Sequence, residues 1–155
     1  MWWVLASSAV LASDQFTKWL ALSYLDPGWP VAVVPGLNWY LTFNRGIAFS
    51  AFAGSGDWQR WVFSGVAAAI ALVVAVVLWR HHRKPDLTGW GLALILGGAL
   101  GNLIDRLRFG VVVDFIDCYL GSWHWPAFNV ADSAISVGAV LLLITMLRPD
   151  RNQKA

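Results

Sequence analysis

Four long stretches of the chain, residues 2–25, 61–79, 87–107 and 128–147, are apolar and nearly free of charge. Each is close to the roughly 20 residues that a helix, rising 1.5 Å per residue, needs to cross about 30 Å of hydrocarbon. The second carries no charge at all. The other three are interrupted near one end: the first by Asp14 and Lys18, the third by Asn102, Asp105 and Arg106, the fourth by Asp132. Between the first two, Val31-Ala32-Val33-Val34 and the run from Asn38 to Phe43 flank Pro35-Gly36, which reads as strand, turn, strand. Residues 54–61 carry two Trp beside Gly, Asp and Arg and read as a short interfacial helix. The expectation is one integral membrane domain over residues 1–155. It is an all-α membrane protein with four transmembrane helices, a small extracytoplasmic β-rich element and that short interfacial helix. Two outer loops, residues 26–60 and 108–127, join the crossings.

Composition sharpens this. The 155 residues are 58% hydrophobic and only 13% charged, about half the charge of a soluble domain, and the mean hydropathy is +0.59. A disordered chain and an ordinary soluble domain are both excluded as first readings. The pI near 9.0 comes without a basic stripe on an exposed helix, so no nucleic-acid partner is expected. All nine acids are Asp, which removes any HExxH metallopeptidase or Glu base. A single cysteine, Cys118, forms no internal disulfide and no multi-Cys metal site. No metal or cofactor is expected.

Charge placement sets the orientation. Arg80, Arg83 and Lys84 sit in the loop between the second and third stretches, and Arg148, Arg151 and Lys154 in the tail. Six of the 11 basic residues thus gather at one face, which the positive-inside rule makes cytoplasmic, with both termini there. The first stretch lacks a basic leader and is interrupted by Asp14 and Lys18, so it does not read as a cleavable signal peptide.

With that topology the polar groups converge. Asp14 lies about 20 Å along the first helix at 1.5 Å per residue, in its outer half. Asn102, Asp105 and Arg106 end the third helix, Asn129 and Asp132 begin the fourth, and Asp114 lies just beyond the third. All fall in one layer near the outer face. A charge inside a membrane segment costs at least about 2.5–3.5 kcal/mol on insertion scales, so each needs a reason. Asp14 and Lys18, spaced i, i+4, form a structural ion pair or a capture site for a polar headgroup. Asp105 beside Arg106 reads as local charge neutralisation, Gly97 with Gly101 as close helix packing, and Asp117 as a solvated loop residue. His81 and His82 belong to the inner loop. Asp114 and Asp132 differ: their surroundings are apolar and no basic residue lies within four positions. Two carboxylates sharing a low-dielectric site cannot both ionise cheaply, which leaves one acid and one base able to activate water against an amide.

At these residues the sequence resembles the bacterial lipoprotein signal peptidase family, signal peptidase II, over nearly its whole length. Asp14-Gln15-Phe16-Thr17-Lys18 is similar to the family's first motif. Asn44-Arg45-Gly46-Ile47-Ala48-Phe49-Ser50 resembles the second, with Ile47 where Ala is common. Gly101-Asn102-Leu103-Ile104-Asp105-Arg106 followed by Gly110-Val111-Val112-Val113-Asp114-Phe115 resembles the third, and Pro126-Ala127-Phe128-Asn129-Val130-Ala131-Asp132-Ser133-Ala134-Ile135 the fourth. The resemblance implies a membrane aspartyl endopeptidase that removes the signal peptide from diacylglyceryl-modified prolipoproteins, cutting just before the lipidated Cys. That Cys belongs to the substrate and is not Cys118. The implied catalytic pair is Asp114 and Asp132. Asp14, Lys18, Asn44, Gly46, Asn102, Arg106 and Asn129 are implied to bind substrate or support the site. The partners are the lipidated precursor and membrane lipid, the enzyme acts as a monomer, and its place is the bacterial inner membrane. Three rivals stand beside this reading: a small transporter or channel using the intramembrane Asp, Lys and Arg cluster, a serine peptidase built from Ser50 or Ser133 with Lys18 or His124, and a structural adaptor.

Overall fold

The structure is a computed structural model that describes residues 2–46, 58–81 and 86–147. Its elements run α1 (Trp2–Tyr24), β1 (Val31–Val34), β2 (Leu37–Asn44), α2 (Trp58–Arg80), α3 (Leu87–Phe109), β3 (Val112–Leu120), β4 (Trp123–His124) and α4 (Val130–Leu147). Three helices, α2, α3 and α4, are long and apolar enough to cross a membrane. The helix α1 has the same 23 residues as α2 and α3, but Ser7, Ser8, Ser13, Asp14, Gln15, Thr17 and Lys18 lower its hydropathy. The basic residues Arg83, Lys84, Arg148, Arg151 and Lys154, as well as His82 and the motif positions 47–50, lie outside the described residues.

The helix α3 is the hub. It packs against α1, α2 and α4, and glycines make that possible by removing side chains from the contact lines. A Cβ at Gly97 would stand 2.7 Å from the Ser7 carbonyl oxygen, and one at Gly91 2.8 Å from that of Gly138. With α1 that close, Ser7 Oγ donates 3.0 Å to the Ala93 carbonyl. The N-terminus of α3 is capped by Asp86, whose side chain accepts from Gly89 N–H at 2.8 Å. Its C-terminus ends at Gly110, φ 76°, whose N–H returns to the Arg106 carbonyl.

Two apolar clusters sit at opposite ends of the bundle. Trp3, Leu78, Leu92 and Ala93 pack where α1 and α3 begin and α2 ends. At the other end Ala21, Leu41, Val113 and Phe115 seat a sheet on the C-terminal half of α1.

That sheet is larger than the sequence suggests. The hairpin of β1 and β2 forms as expected, but residues 108–127, expected as a loop, also fold into strands, giving one antiparallel order β1-β2-β3-β4. The chain is therefore mostly helical with a four-stranded sheet, not all-α. Val112-Val113-Asp114-Phe115 shows no alternation because all four of these residues are buried, so both faces of β3 are covered at its start. The expected interfacial helix is not a separate element where it is described: Trp58 and Trp61 lie in the first turns of α2, and residues 54–57 lie outside the described set. Helix ends also move, α2 starting before residue 61, α3 running past 107 and α4 starting after 128.

Candidate active site

Asp114 and Asp132 stand eighteen positions apart, and the sheet explains how they meet. After β3 the chain reverses at Gly121, φ 61°. It then runs back along β3: Trp125 N–H donates to the Cys118 carbonyl at 2.8 Å, and Phe128 exchanges backbone hydrogen bonds with Ile116 at 2.9 and 3.1 Å. Residue 129 is thereby delivered beside Asp114, and α4 begins there.

Asn129 is the joint. It is fully buried and caps α4: its Oδ1 accepts from Asp132 N–H at 2.9 Å, while Asp132 Oδ2 accepts from Asn129 N–H at 3.3 Å. This is a reciprocal capping box written with Asn and Asp. The same Asn129 turns its Nδ2 to Asp114 Oδ1 at 2.7 Å, with further acceptors in Asn102 Oδ1 and the Val113 carbonyl at 3.2 Å each. Asn102 Nδ2 donates to Asp132 Oδ1 at 2.7 Å. The two carboxylates therefore share a network of two asparagines.

The remaining side of Asp114 faces β2. Thr42 is its cross-strand partner, and a bulge between Trp39 and Thr42 shifts the register there. Asn44 Nδ2 donates to Asp114 Oδ2 at 3.1 Å, and Asn44 Oδ1 accepts from Gly46 N–H at 2.7 Å, with Gly46 at φ 83°. Asn44 is exposed and Asp132 half-buried, whereas Asp114 is only 1% exposed. Burial first, and then the Asp132 charge, push the Asp114 carboxyl up to about 6, against the hydrogen bonds from Asn44 and Asn129 and the charge of Lys18.

Beneath this lies a buried ionic group. Lys18 Nζ stands 2.8 Å from both Asp14 Oδ2 and Asp105 Oδ2 and donates to Asn102 Oδ1 at 3.0 Å. All three charged side chains are within 3% of complete burial, so Asp14 and Lys18 form an internal ion pair and do not present a headgroup site. Gln15, a member of the first motif assigned no role from sequence, donates to Asp14, Asp105 and the Gly101 carbonyl. Asp105 pairs with Lys18 across the helices and not with its neighbour Arg106. The reason is helical: consecutive residues point about 100° apart, so Asp105 faces α1 while Arg106 turns to its own helix, where Nη1 donates to the Asn102 carbonyl at 3.3 Å. Asn102 reaches Asp132 and Asn129.

Asp117 is likewise corrected. It is 5% exposed, takes 2.9 Å from Asn38 Nδ2, and lies 2.8 Å from His124 Nδ1. Burial works to raise its carboxyl, but the hydrogen bonds from His124 and Asn38 outweigh it and hold Asp117 below the usual carboxylate range. His124 is thus occupied with Asp117. Ser133 is spent on the Asn129 carbonyl at 3.0 Å, which removes that serine from the nucleophile role. Among the described residues no group of three or more His, Cys, Asp or Glu has the placement to hold a metal ion.

The sequence profile of the family described as Signal peptidase (SPase) II matches residues 6–148. The Lipoprotein signal peptidase of Polynucleobacter necessarius subsp. necessarius (strain STIR1) is 48% identical over 146 residues, 94% of this chain and 89% of that protein. That of Burkholderia mallei (strain SAVP1) is 48% identical over 153 residues, 98% of this chain and 91% of that protein. Among solved structures, a bacterial membrane enzyme determined by the in meso method at 1.9 Å superposes with a TM-score of 0.82 at 30% identity, covering 94% of this chain and 92% of its own. A second, at 2.3 Å, gives 0.83 at 29% identity, covering 98% and 91%.

Proposed function

The chain belongs to the signal peptidase II family, and from that premise we propose how its residues carry out the family's proteolysis. The activity is removal of the signal peptide from prolipoproteins; the transporter reading is not favoured. Asp114 and Asp132 are the catalytic pair, and the observation that carries this is Asn129, which binds Asp114 through its side chain and Asp132 through its cap.

At the working pH the pair holds one proton and one water. The ionised carboxylate takes a proton from that water as its oxygen attacks the scissile carbonyl carbon. The protonated carboxylate donates to the carbonyl oxygen. When the tetrahedral carbon collapses, the C–N bond breaks, the leaving amine takes the proton gathered from water, and one hydroxyl of the diol returns its proton to the carboxylate that had protonated the carbonyl oxygen, which restores the pair. Asn44, exposed itself and bonded to Asp114, and Gly46 border the site where an extended substrate backbone pairs with the chain. Asn102 and Asn129 hold the carboxylates, Arg106 lends a positive charge beside them from its bond to the Asn102 backbone, and Asp14 and Lys18 brace them from below. The diacylglyceryl chains of the substrate stay in lipid beside the helices, so the substrate arrives by lateral diffusion and lipid supplies much of the positioning.

The finer topology belongs to the same reading. The helix α1 is the fourth crossing, its polar residues turned inward to Asp105 and α4. The chain is one domain in the bacterial inner membrane, a monomer with both termini cytoplasmic and the site near the outer face. The test is direct. Detergent-purified protein is incubated with a diacylglyceryl-modified precursor and the released leader is measured. Asp114→Asn and Asp132→Asn are each expected to lower the rate at least about 10³-fold while remaining folded. Ordinary product formation by either variant removes the assignment.

A further inference from the structure

Asp14, Lys18 and Asp105 make no hydrogen bond to either of the paired carboxylates, yet they are tied to both chain segments that carry them. Asp105 Oδ2 accepts from the backbone N–H of Val113 at 3.1 Å, the residue before Asp114. Asp14 Oδ1 accepts from the backbone N–H of Ala131 at 2.9 Å, the residue before Asp132. Lys18 Nζ lies between the two acids at 2.8 Å from each. The chain of contacts is Val113, Asp105, Lys18, Asp14, Ala131, and it spans from β3 to α4 through two other helices.

We propose that Lys18, flanked by Asp14 and Asp105, is a positioning clamp that fixes the separation of Asp114 from Asp132, and so keeps the two carboxylates close enough to share one proton. Lys18 is not a catalytic residue: its ammonium is spent on three acceptors and reaches no reacting atom. A donor-only group also fixes a direction. Because Lys18 can only donate, Asn102 must turn its oxygen to Lys18 and its NH2 to Asp132, as observed. Two like charges with no cation between them would repel, and β3 and α4 would move apart with them. The inference rests on Asp114 and Asp132 being the catalytic pair.

Two carboxylates that share a proton lose their protons in two macroscopic steps, and the gap between the steps grows with their interaction. That gap is the readout. Among the described residues, the other charged groups around the pair are Lys18 and Asp14 from α1 and Asp105 and Arg106 from α3, with Asp117 and His124 farther along β3 and β4. A change in any of these background charges moves both limbs of the pH profile of kcat/KM in one direction. A change in the spacing of the pair alters the distance between the limbs.

Three variants are measured with the lipidated precursor: Lys18→Met, Asp105→Asn, and the two combined, which restores the charge balance. Asp105→Asn is nearly isosteric and still offers an oxygen to Val113, so it covers the case in which Lys18→Met fails to fold. The expected result is a narrower gap in each folded variant. In the double variant kcat falls about 100-fold while KM changes by less than about threefold. Lys18→Arg, which keeps the bridge, retains the wild-type gap. A folded double variant with both limbs at their wild-type separation overturns the clamp, as does a shift of both limbs together that the double variant reverses. Asp114→Asn and Asp132→Asn are run in parallel. If they cleave normally the catalytic pair is wrong; if they are inactive and the gap is unmoved, only the clamp is wrong.

Discussion

Asp114→Asn should abolish cleavage and, between about pH 4 and pH 6, make the protein's stability less sensitive to pH. The argument begins with the 1% exposure of Asp114 and its rise from 3.8 to about 6. A carboxyl whose folded value lies above its unfolded value binds its proton more tightly when folded. Between the two values the native state therefore holds more protons, and stability falls as pH rises. A shift of about two units amounts to about 3 kcal/mol, fully present as a penalty above pH 6 and absent below about pH 4. The Asn variant carries no such penalty. It does leave one amide facing another, because Asn44 and Asn129 both donate to Asp114, and that offsets about 1–3 kcal/mol at every pH. The absolute stabilities are thus mixed, but their pH dependence is clean. Unfolding free energies in mixed micelles, measured for wild type and Asp114→Asn from about pH 4 to pH 8, give a difference in which all other titrating groups cancel. Wild type should lose about 3 kcal/mol relative to the variant across that range. A difference constant to within about 0.5 kcal/mol would refute the reasoning, because Asp114 would then titrate alike folded and unfolded.

Two further outcomes are expected. Gly101→Ala places a methyl against the Asp14 carboxylate, so α1 and α3 must part. A loss of about 1–3 kcal/mol in unfolding free energy, together with reduced cleavage, is the result to look for, and unchanged stability would count against the tight seam. EDTA should leave the rate unchanged, since two carboxylates are assigned the activation of water; loss of activity restored by zinc would contradict that assignment.

Much of this molecule is legible in its residues without coordinates. Apolar runs of membrane length, the Pro35-Gly36 hairpin, the i, i+4 pairing of Asp14 with Lys18 and the isolation of Asp114 and Asp132 in apolar surroundings are local properties. They follow from helix rise, turn chemistry and the penalty on charge in hydrocarbon, each of which acts within a few residues. What local pattern could not reveal were the partnerships formed over long separations. Asp105 looks neutralised by the adjacent Arg106, but the helix turns them apart and Lys18 of α1, 87 positions away, takes it. Asp117 looks solvated in a loop, yet β3 buries it between Asn38 and His124. The strand β3 itself has no alternation to betray it at its start, because Val112, Val113, Asp114 and Phe115 are all buried. Above all, the meeting of Asp114 with Asp132 depends on the chain doubling back at Gly121 and on Asn129 capping a helix with one end of its side chain while holding a carboxylate with the other. Backbone pairing between distant segments sets that contact, and its energy appears only once the sheet and the bundle have closed on each other.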